Sequence, residues 1–403
     1  MAGRVALLML ALFFVITQPG CWDKQETEEL GIVLAQGIES AENGKVRVIY
    51  QVVNPAAQAF GTSGGKGTPY NKPYTNLAAE GDTIFEAVRK VSVLSSKRII
   101  FDFVQVVIVS EDLARKGLRD LLDLLERDPE ARRSVWLLVG RGDMASLLDE
   151  PGQLNTIPSE RIRNIIQLQP LASVYAPLRL GDFYKLMESE SSQPFTAVLE
   201  SEPNLAFPGE EGHDELSTGN VPEVRRNLKL NGTAVFRQDK MVGWLNEKES
   251  RGLLWLRGEI KDGYLKFPGP GGTGKLFTTE ILHSKTTLQP EINDGQIHMT
   301  VKIKAETYLE ETREPIDVET VKRLEAAQAG TIEEEARAAL DKAQREYQSD
   351  VFGFGEAVHR KYPEEWKEIK NTWPEQFSGV QVSFQVETKI RHTAMIASPA
   401  EPK

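Results

Sequence analysis

The sequence predicts a mixed α/β protein. A hairpin pattern, Asn43-Gly44 between two β-rich runs, opens the body of the chain, and helical patterns then alternate with apolar strand patterns. The chain has 403 residues, which at roughly 150 residues per domain allows two or three domains, each with its own core. We expect helices packed on largely antiparallel or mixed sheets.

The N-terminal segment predicts export. Residues 5–16 are apolar and follow the single basic residue Arg4. As a helix this run spans about 18 Å, which is too short for a bilayer core of about 30 Å but suits a leader peptide. The only cysteine, Cys21, stands directly behind Gly20. We therefore predict a lipoprotein signal peptide over residues 1–20 and lipidation of Cys21, where two acyl chains give stable anchoring. An ordinary signal peptide or signal anchor is the alternative.

Net charge, cysteine content and hydropathy exclude several classes of protein. The formal charge is −11, and removing Arg4 with the leader gives 47 − 59 = −12. An acidic exterior argues against binding to nucleic acid. A single cysteine committed to lipid leaves none for a disulfide bond. No second apolar run reaches the length of a membrane span.

The first half of the chain alternates strand and helix patterns. Thr83 and Glu86 form a capping pattern before a helix whose apolar positions include Leu94. Residues 99–109 predict one central strand covered on both faces, with Asp102 buried in it and paired with Lys97 or Arg98. Ser110 predicts the cap of a short helix that ends at Gly117, and a second helix is expected at residues 118–127. Further strands are expected at residues 31–38, 46–53, 134–139 and 195–200, and further helices at 143–148, 158–168 and 182–190.

The second half restarts after a polar stretch rich in Pro and Gly, residues 201–222, which predicts an interdomain linker. Asn246 and Glu249 have the spacing of a helix cap, and Thr331 with Glu334 predicts the start of a long helix. Strands are expected at residues 228–237, 241–245, 259–267, 275–288, 297–305 and 380–386, and helices at 331–348 and 356–370. Trp366 and Trp373 are candidates for either the core or a partner surface.

Two motifs resemble catalytic loops but lack the context that their chemistry needs. Residues 269–275 match the first seven places of a phosphate-binding loop, yet Leu276 occupies the place of the magnesium-binding hydroxyl and Pro270 removes one amide. Ser63 lies in a G-x-S-x-G match with no helix directly behind it. No two of the five histidines have the spacing of a metal-binding pair on a helix; they are His213, His283, His298, His359 and His392. We therefore predict no catalytic, cofactor-binding or metal-ligating residue, and no enzyme.

Several segments, spread in order over nearly the whole mature chain, resemble the Ger(x)C proteins, the C subunits of spore nutrient germinant receptors. The similarity begins at Gly20-Cys21-Trp22-Asp23 and continues in both halves. The matching segments include residues 81–88, 106–111, 125–132, 139–142, 232–236, 240–245 and 249–255.

The resemblance implies a non-enzymatic lipoprotein on the outer leaflet of the spore inner membrane. Its partners would be a polytopic A subunit, thought to form the ion channel, and a B subunit that senses germinants, so that nutrient sensing is coupled to ion release. A solute-binding lipoprotein that delivers a small molecule to a membrane partner is the alternative. The resemblance implies three mixed α/β domains, which we place at residues 21–200 (N-terminal domain), 223–290 (middle domain) and 291–395 (C-terminal domain). Residues 1–20 are the predicted signal peptide and residues 201–222 the predicted linker.

Overall fold

The computed structural model describes residues 3–4, 29–53, 72–150, 155–203, 226–269, 275–311 and 317–393. Two sheets form the described part of the protein, one of ten strands and one of four. Both contain parallel and antiparallel neighbours, and helices cover them. The predicted mixed α/β class is confirmed.

The ten-stranded sheet has the order β10-β9-β8-β6-β5-β1-β2-β3, with β4 beside β1 and β7 beside β6. Its centre is parallel, since β1, β5, β6 and β8 run in one direction, and its two ends are antiparallel. The strands are β1 (Leu30–Ser40), β2 (Val46–Val53), β3 (Tyr74–Gly81), β4 (Arg98–Ile100), β5 (Val106–Ser110), β6 (Trp136–Arg141), β7 (Leu178–Arg179), β8 (Phe195–Pro203), β9 (Arg226–Arg237) and β10 (Lys240–Leu245).

The hairpin predicted at Asn43-Gly44 joins β1 to β2. Both residues have positive φ, 56° and 76°, a conformation that Asn and Gly adopt at little cost. The turn fixes the register, so that Gln36 lies opposite Tyr50 and Ile38 lies opposite Val48. These four residues occupy one face of the sheet, because residues two apart along a strand point the same way.

Helices cover both faces of this sheet. One face packs against α1, α2, α3 and α7, and the other against α4 and α5. The helices are α1 (Ile84–Leu94), α2 (Glu111–Lys116), α3 (Arg119–Arg127), α4 (Met144–Leu147), α5 (Pro158–Gln167), α6 (Gln169–Ala172) and α7 (Leu180–Met187). The predicted caps are present: the Oγ atoms of Thr83 and Ser110 accept the N–H groups of Glu86 and Leu113.

The four-stranded sheet has the order β11-β12-β13-β14. Its strands are β11 (Tyr264–Pro268), β12 (Leu276–Asn293), β13 (Gln296–Glu311) and β14 (Gln381–Thr393). Asp294 and Gly295, both with positive φ, close the long β12–β13 hairpin, and β14 returns to pair with β13 in parallel. Met299, Val301 and Ile303 are fully buried on one face of β13, as its alternating pattern predicts.

The helices of the second half are α8 (Glu247–Arg257), α9 (Val318–Asp341), α10 (Phe354–Lys361), α11 (Pro363–Ile369) and α12 (Trp373–Gly379). A π-helical segment, Lys342–Tyr347, extends α9. The predicted capping box of Asn246 and Glu249 opens α8. Trp366 and Trp373 are 1 % and 2 % exposed, and their rings contact each other with centroids 5.2 Å apart. Both tryptophans therefore belong to the core.

The single strand predicted over residues 99–109 is wrong. Two shorter strands, β4 and β5, pair in succession with β1. Five residues, 101–105, lie between β4 and β5. On β1, only two residues, 33 and 34, lie between the last residue that pairs with β4 and the first that pairs with β5. The extra residues leave the sheet as a loop, which an apolar run alone does not reveal.

Helix α9 begins thirteen residues before the predicted start, at Val318 in place of Thr331. Asp317 is its cap and accepts the N–H of Thr320. Thr331 lies inside the helix, where its hydroxyl donates to the carbonyl of Ala327. Leu94, placed on the buried face of α1 from its spacing, is 59 % exposed.

The two ends of the predicted linker meet in one sheet. Strands β8 and β9 precede and follow this stretch, and they pair antiparallel from Phe195 opposite Val235 to Pro203 opposite Arg226. The predicted boundary at residue 290 likewise falls within β12. A Pro- and Gly-rich stretch marks an irregular connection, but it does not show whether the strands that flank it are neighbours. The domain boundaries stay a prediction.

Candidate functional site

Several residues singled out from the sequence lie outside the described residues. They are Cys21, Trp22, Ser63, His213 and residues 270–274 of the loop before Lys275. Lipidation of Cys21 therefore stays a prediction. Within the described ranges, no three His, Cys, Asp or Glu side chains come together as metal ligands.

Asp102 does not occupy the buried position expected for it. Its side chain is 51 % exposed, in the loop between β4 and β5, and its Oδ1 lies 3.5 Å from Nη2 of Arg132. The expected partner was Lys97 or Arg98, and the structure shows Arg132 instead. An ion pair between two side chains this exposed contributes about 0–1 kcal/mol, so Asp102 is a surface residue.

Asp350 is the carboxylate that the core encloses most fully among the described residues. Its Oδ1 accepts the N–H groups of Phe352, Gly353 and Phe354, and its Oδ2 accepts those of Gly355 and the Trp373 indole. Burial raises the pKa of Asp350, and the hydrogen bonds from Gly355, Phe354, Trp373 and Phe352 oppose that shift. The side chain fixes the chain entering α10 against α12, which is a structural role.

Glu335 is a second interior carboxylate. It is 4 % exposed, on the face of α9 that meets α8. Its Oε1 accepts Nε of Arg251 at 3.1 Å, and its Oε2 accepts the indole N–H of Trp255 at 2.9 Å. Burial raises its pKa above the ordinary value, although Arg251 and Trp255 act in the opposite direction. All the partners of Glu335 are thus protein groups that join the two helices.

A cavity of about 430 Å³ lies between the ten-stranded sheet and two helices. Gln36, Ile38, Val48 and Tyr50, the cross-strand set of β1 and β2, form its floor. The facing sides of α1 and α3 form its walls, together with Phe101 from the loop after β4. The wall residues on the helices include Ile84, Phe85, Val88, Arg89, Leu121, Leu124 and Leu125. Its size and apolar lining are typical of a small-molecule site.

Two polar side chains stand on this apolar floor. Gln36 is 8 % exposed and Tyr50 is 2 % exposed. Neither the Gln36 carboxamide nor the Tyr50 hydroxyl makes a hydrogen bond within the described part of the chain, although the Tyr50 ring contacts Phe101 edge-on at 5.0 Å. Burial, assisted by the negative charge of Asp128, raises the pKa of Tyr50, so its hydroxyl stays protonated at neutral pH.

The charged residues that line the cavity have partners among the described residues, most of them backbone groups or an aromatic ring and not an opposite charge. Nε of Arg127 donates to Asp123 at 2.8 Å, Asp128 accepts the N–H of Glu130, and Glu130 accepts the N–H of Phe101. The guanidinium of Arg89 lies over the Phe85 ring, 5.0 Å from its centroid. The cavity therefore offers apolar surface and neutral hydrogen-bonding groups at its floor, and none of the four floor residues is charged.

Sequence reasoning missed this cavity. The available indication was symmetry about the predicted turn, because residues 36 and 50 are both seven positions from Asn43 and so face each other in a tight hairpin. Within this apolar strand, the polar Gln36 indicates a position that packing alone does not explain. The helices that cover the pair could not be placed from the sequence.

Comparison with known proteins assigns both halves of the chain to one group. Residues 23–201 match the profile described as spore germination protein N-terminal domain. Residues 231–394 match the profile described as spore germination B3/GerAC like, C-terminal. The chain belongs to the Ger(x)C family of spore germination proteins. This is a family of germinant receptor subunits and not a known enzyme family.

Ger(x)C relatives align with almost the entire chain. Spore germination protein KC of Bacillus subtilis is 27 % identical over 99 % of this chain and 98 % of its own length. Spore germination protein YndF of the same organism is 28 % identical, with 96 % of each chain covered. Spore germination protein B3 is 25 % identical over 94 % of this chain and 95 % of its own.

A solved structure shares the fold. The crystal structure of the GerBC protein superposes with a TM-score of 0.58 at 21 % identity, covering 91 % of this chain and all of the other. The mixed architecture described above is thus the architecture of a Ger(x)C protein. Among the described helices, none combines the length and the apolar character that crossing a bilayer requires.

Proposed function

We propose that this Ger(x)C protein is the lipid-anchored, non-enzymatic subunit of a spore nutrient germinant receptor. Cys21 carries the lipid and holds the folded body on the outer leaflet of the spore inner membrane. There the body contacts two polytopic subunits, A and B, and helps couple nutrient sensing to ion release. Apart from the covalent lipid, the protein works without a cofactor.

The observation that carries this proposal is the end-to-end match to germination proteins. Both family profiles match in order, from residue 23 to residue 394, and the relatives are covered at almost full length. A match over both halves supports a role for the whole chain and not for one half alone. The acidic charge of −11 is consistent with a body held by lipid, because it would not adhere to anionic headgroups by itself.

Deletion of the gene tests the role in nutrient response. The host strain should first lose any other receptor that answers the same nutrient. We expect spores of the deletion strain to ignore the nutrient but to germinate with non-nutrient triggers, and the restored gene should return the response. Normal nutrient germination in the deletion strain would contradict the proposed role.

Crosslinking in dormant-spore membranes tests the partners. A crosslinker applied to intact membranes should join this chain to two polytopic proteins, which mass spectrometry of the captured species identifies. Spores that lack the gene provide the control for background capture. If the captured species contain no polytopic protein, assembly with A and B subunits is excluded.

A further inference from the structure

We infer that the cavity between α1, α3 and the β1–β2 hairpin is a binding site for a small, mainly apolar molecule with a neutral hydrogen-bonding head group, such as a carboxamide, carbonyl or hydroxyl. The head group lies against Gln36 and Tyr50, and the apolar body fills the space between the helices. This inference does not depend on the proposed receptor role, since the cavity can bind its ligand whether or not the chain assembles with membrane subunits.

The two unpaired polar side chains are the main evidence for a ligand. Buried polar groups in proteins are almost always hydrogen-bonded, because an unpaired one loses its contacts with water and gains none. Gln36 and Tyr50 are both more than nine-tenths buried and lack a hydrogen-bond partner among the described residues, and their polar atoms stay accessible from the cavity that both residues line. Their register as directly opposed residues places both side chains side by side on the cavity floor. A ligand head group that bonds to both would satisfy them.

The chemistry of the floor selects a neutral head group. A carboxamide and a phenol can each donate and accept, so they match an amide, carbonyl or hydroxyl. A carboxylate would face the negative charge of Asp128, which already acts on Tyr50. An ammonium would lose its hydration on this floor, and the two carboxylates that line the cavity, those of Asp128 and Glu130, each already accept a backbone N–H. The surrounding Ile38, Val48 and Leu125 favour an apolar body.

A small molecule fits better than a segment of a partner protein. The cavity holds about 430 Å³, within the range of small-molecule sites, and is bounded by a sheet floor and two helix walls. Its polar pair lies on the floor and not along an extended edge where a peptide backbone would bond.

Protection of an introduced thiol tests occupancy. Cys21 is the only native cysteine, so Val88→Cys places one new thiol in the cavity wall. Val93→Cys places one on the surface of α1 instead, because Val93 is 84 % exposed. The full-length chain in lipid nanodiscs is alkylated with and without benzamide, phenol or benzyl alcohol, and each modified peptide is quantified. We expect at least one of these probes to slow alkylation at position 88 more than threefold and to leave position 93 unchanged. Equal rates at position 88 with all three probes would overturn the proposal.

Variants of the floor test the head group. In Gln36→Leu, the affinity for the protecting probe should fall about three- to tenfold, the net effect of one hydrogen bond, while the affinity for toluene changes less than twofold. Tyr50→Phe, which keeps the ring, should behave in the same way. The Tm of Gln36→Leu without a probe should equal or exceed that of the wild type, because a buried unpaired amide is removed. Equal weakening of toluene and the polar probe, or tighter binding of benzylamine than of benzamide, would refute the assigned head group.

Discussion

The hydroxyl of Tyr347 makes two hydrogen bonds with the backbone of Trp244. It donates to the Trp244 carbonyl at 2.8 Å and accepts the Trp244 N–H at 3.1 Å. Trp244 lies on β10, the edge strand of the ten-stranded sheet, and Tyr347 ends the π-helical extension of α9. The Tyr347 hydroxyl thereby satisfies the outward backbone groups of Trp244, to which another strand could otherwise bond. The same contact joins the two halves of the molecule. Gly243 permits the contact, because a Cβ there would overlap the Tyr347 ring.

Removing that hydroxyl should loosen the junction between the two sheets. We expect Tyr347→Phe to lower the free energy of unfolding by about 1–3 kcal/mol, since it leaves two backbone groups without partners. Urea unfolding of the purified chain measures the change. Tyr264→Phe is the matched control, because that side chain is half exposed, and it should have an effect below about 0.5 kcal/mol. Equal midpoints for Tyr347→Phe and the wild type would contradict the role of the hydroxyl.

The crossing of α8 and α9 depends on a glycine. A Cβ on Gly252 would overlap the carbonyl oxygen of Glu335 and lie 2.9 Å from the Cβ of Ala339. Gly252→Ala should therefore force the helices apart and destabilise the protein by about 2–4 kcal/mol. Gly330, inside α9, has open space around its Cβ position, so Gly330→Ala should stabilise by up to about 1 kcal/mol through helix propensity. Thermal unfolding of both variants measures this contrast, and shifts of the same sign would contradict it.

The buried carboxyl group of Glu335 should make the free energy of unfolding depend on pH in a direction set by its pKa. Its folded-state pKa is raised by burial above the ordinary value of 4.5. Its contribution to stability is therefore fully present below pH 4.5 and is lost as the pH rises through the folded-state pKa. We expect Glu335→Gln to destabilise the protein by about 1–3 kcal/mol near pH 4.5 and by less at pH 8. Urea unfolding of the variant and the wild type at matched pH measures the difference.

The matched control for Glu335 is Glu333, whose side chain is 36 % exposed and pairs with Arg337 on the same helix. Glu333→Gln should change the free energy of unfolding by less than about 0.5 kcal/mol across this pH range. If the destabilisation caused by Glu335→Gln increased as the pH rises, the predicted pH dependence would be contradicted.

The lipid anchor is tested at Cys21. Cys21→Ala removes the only thiol to which a diacylglycerol could be attached, so the variant should incorporate no alkyne-tagged fatty acid and should leave the membrane fraction. Gln25→Ala, which keeps the thiol, should retain both the label and the membrane location. Retention of Cys21→Ala on membranes after a high-salt wash would place the anchor elsewhere.

The elements that the sequence predicted correctly are those governed by neighbouring residues. The Asn43-Gly44 turn, the caps at Thr83, Ser110 and Asn246, and the alternation along β13 depend on local backbone conformation and on side-chain periodicity. The resemblance to Ger(x)C proteins likewise came from ordered local segments, and both family profiles confirm it. Such features need no knowledge of what lies across the sheet.

Only the tertiary structure decided which distant residues meet. The five residues 101–105 cannot all stay in the sheet because β1 offers only two residues, 33 and 34, beside them, and β8 pairs with β9 across the stretch predicted as a linker. Gln36 and Tyr50 become the floor of a cavity because α1 and α3 cover the hairpin without filling the space above it. The sequence alone determined the family and the local elements, whereas burial and hydrogen-bond satisfaction depend on packing between segments far apart in the chain.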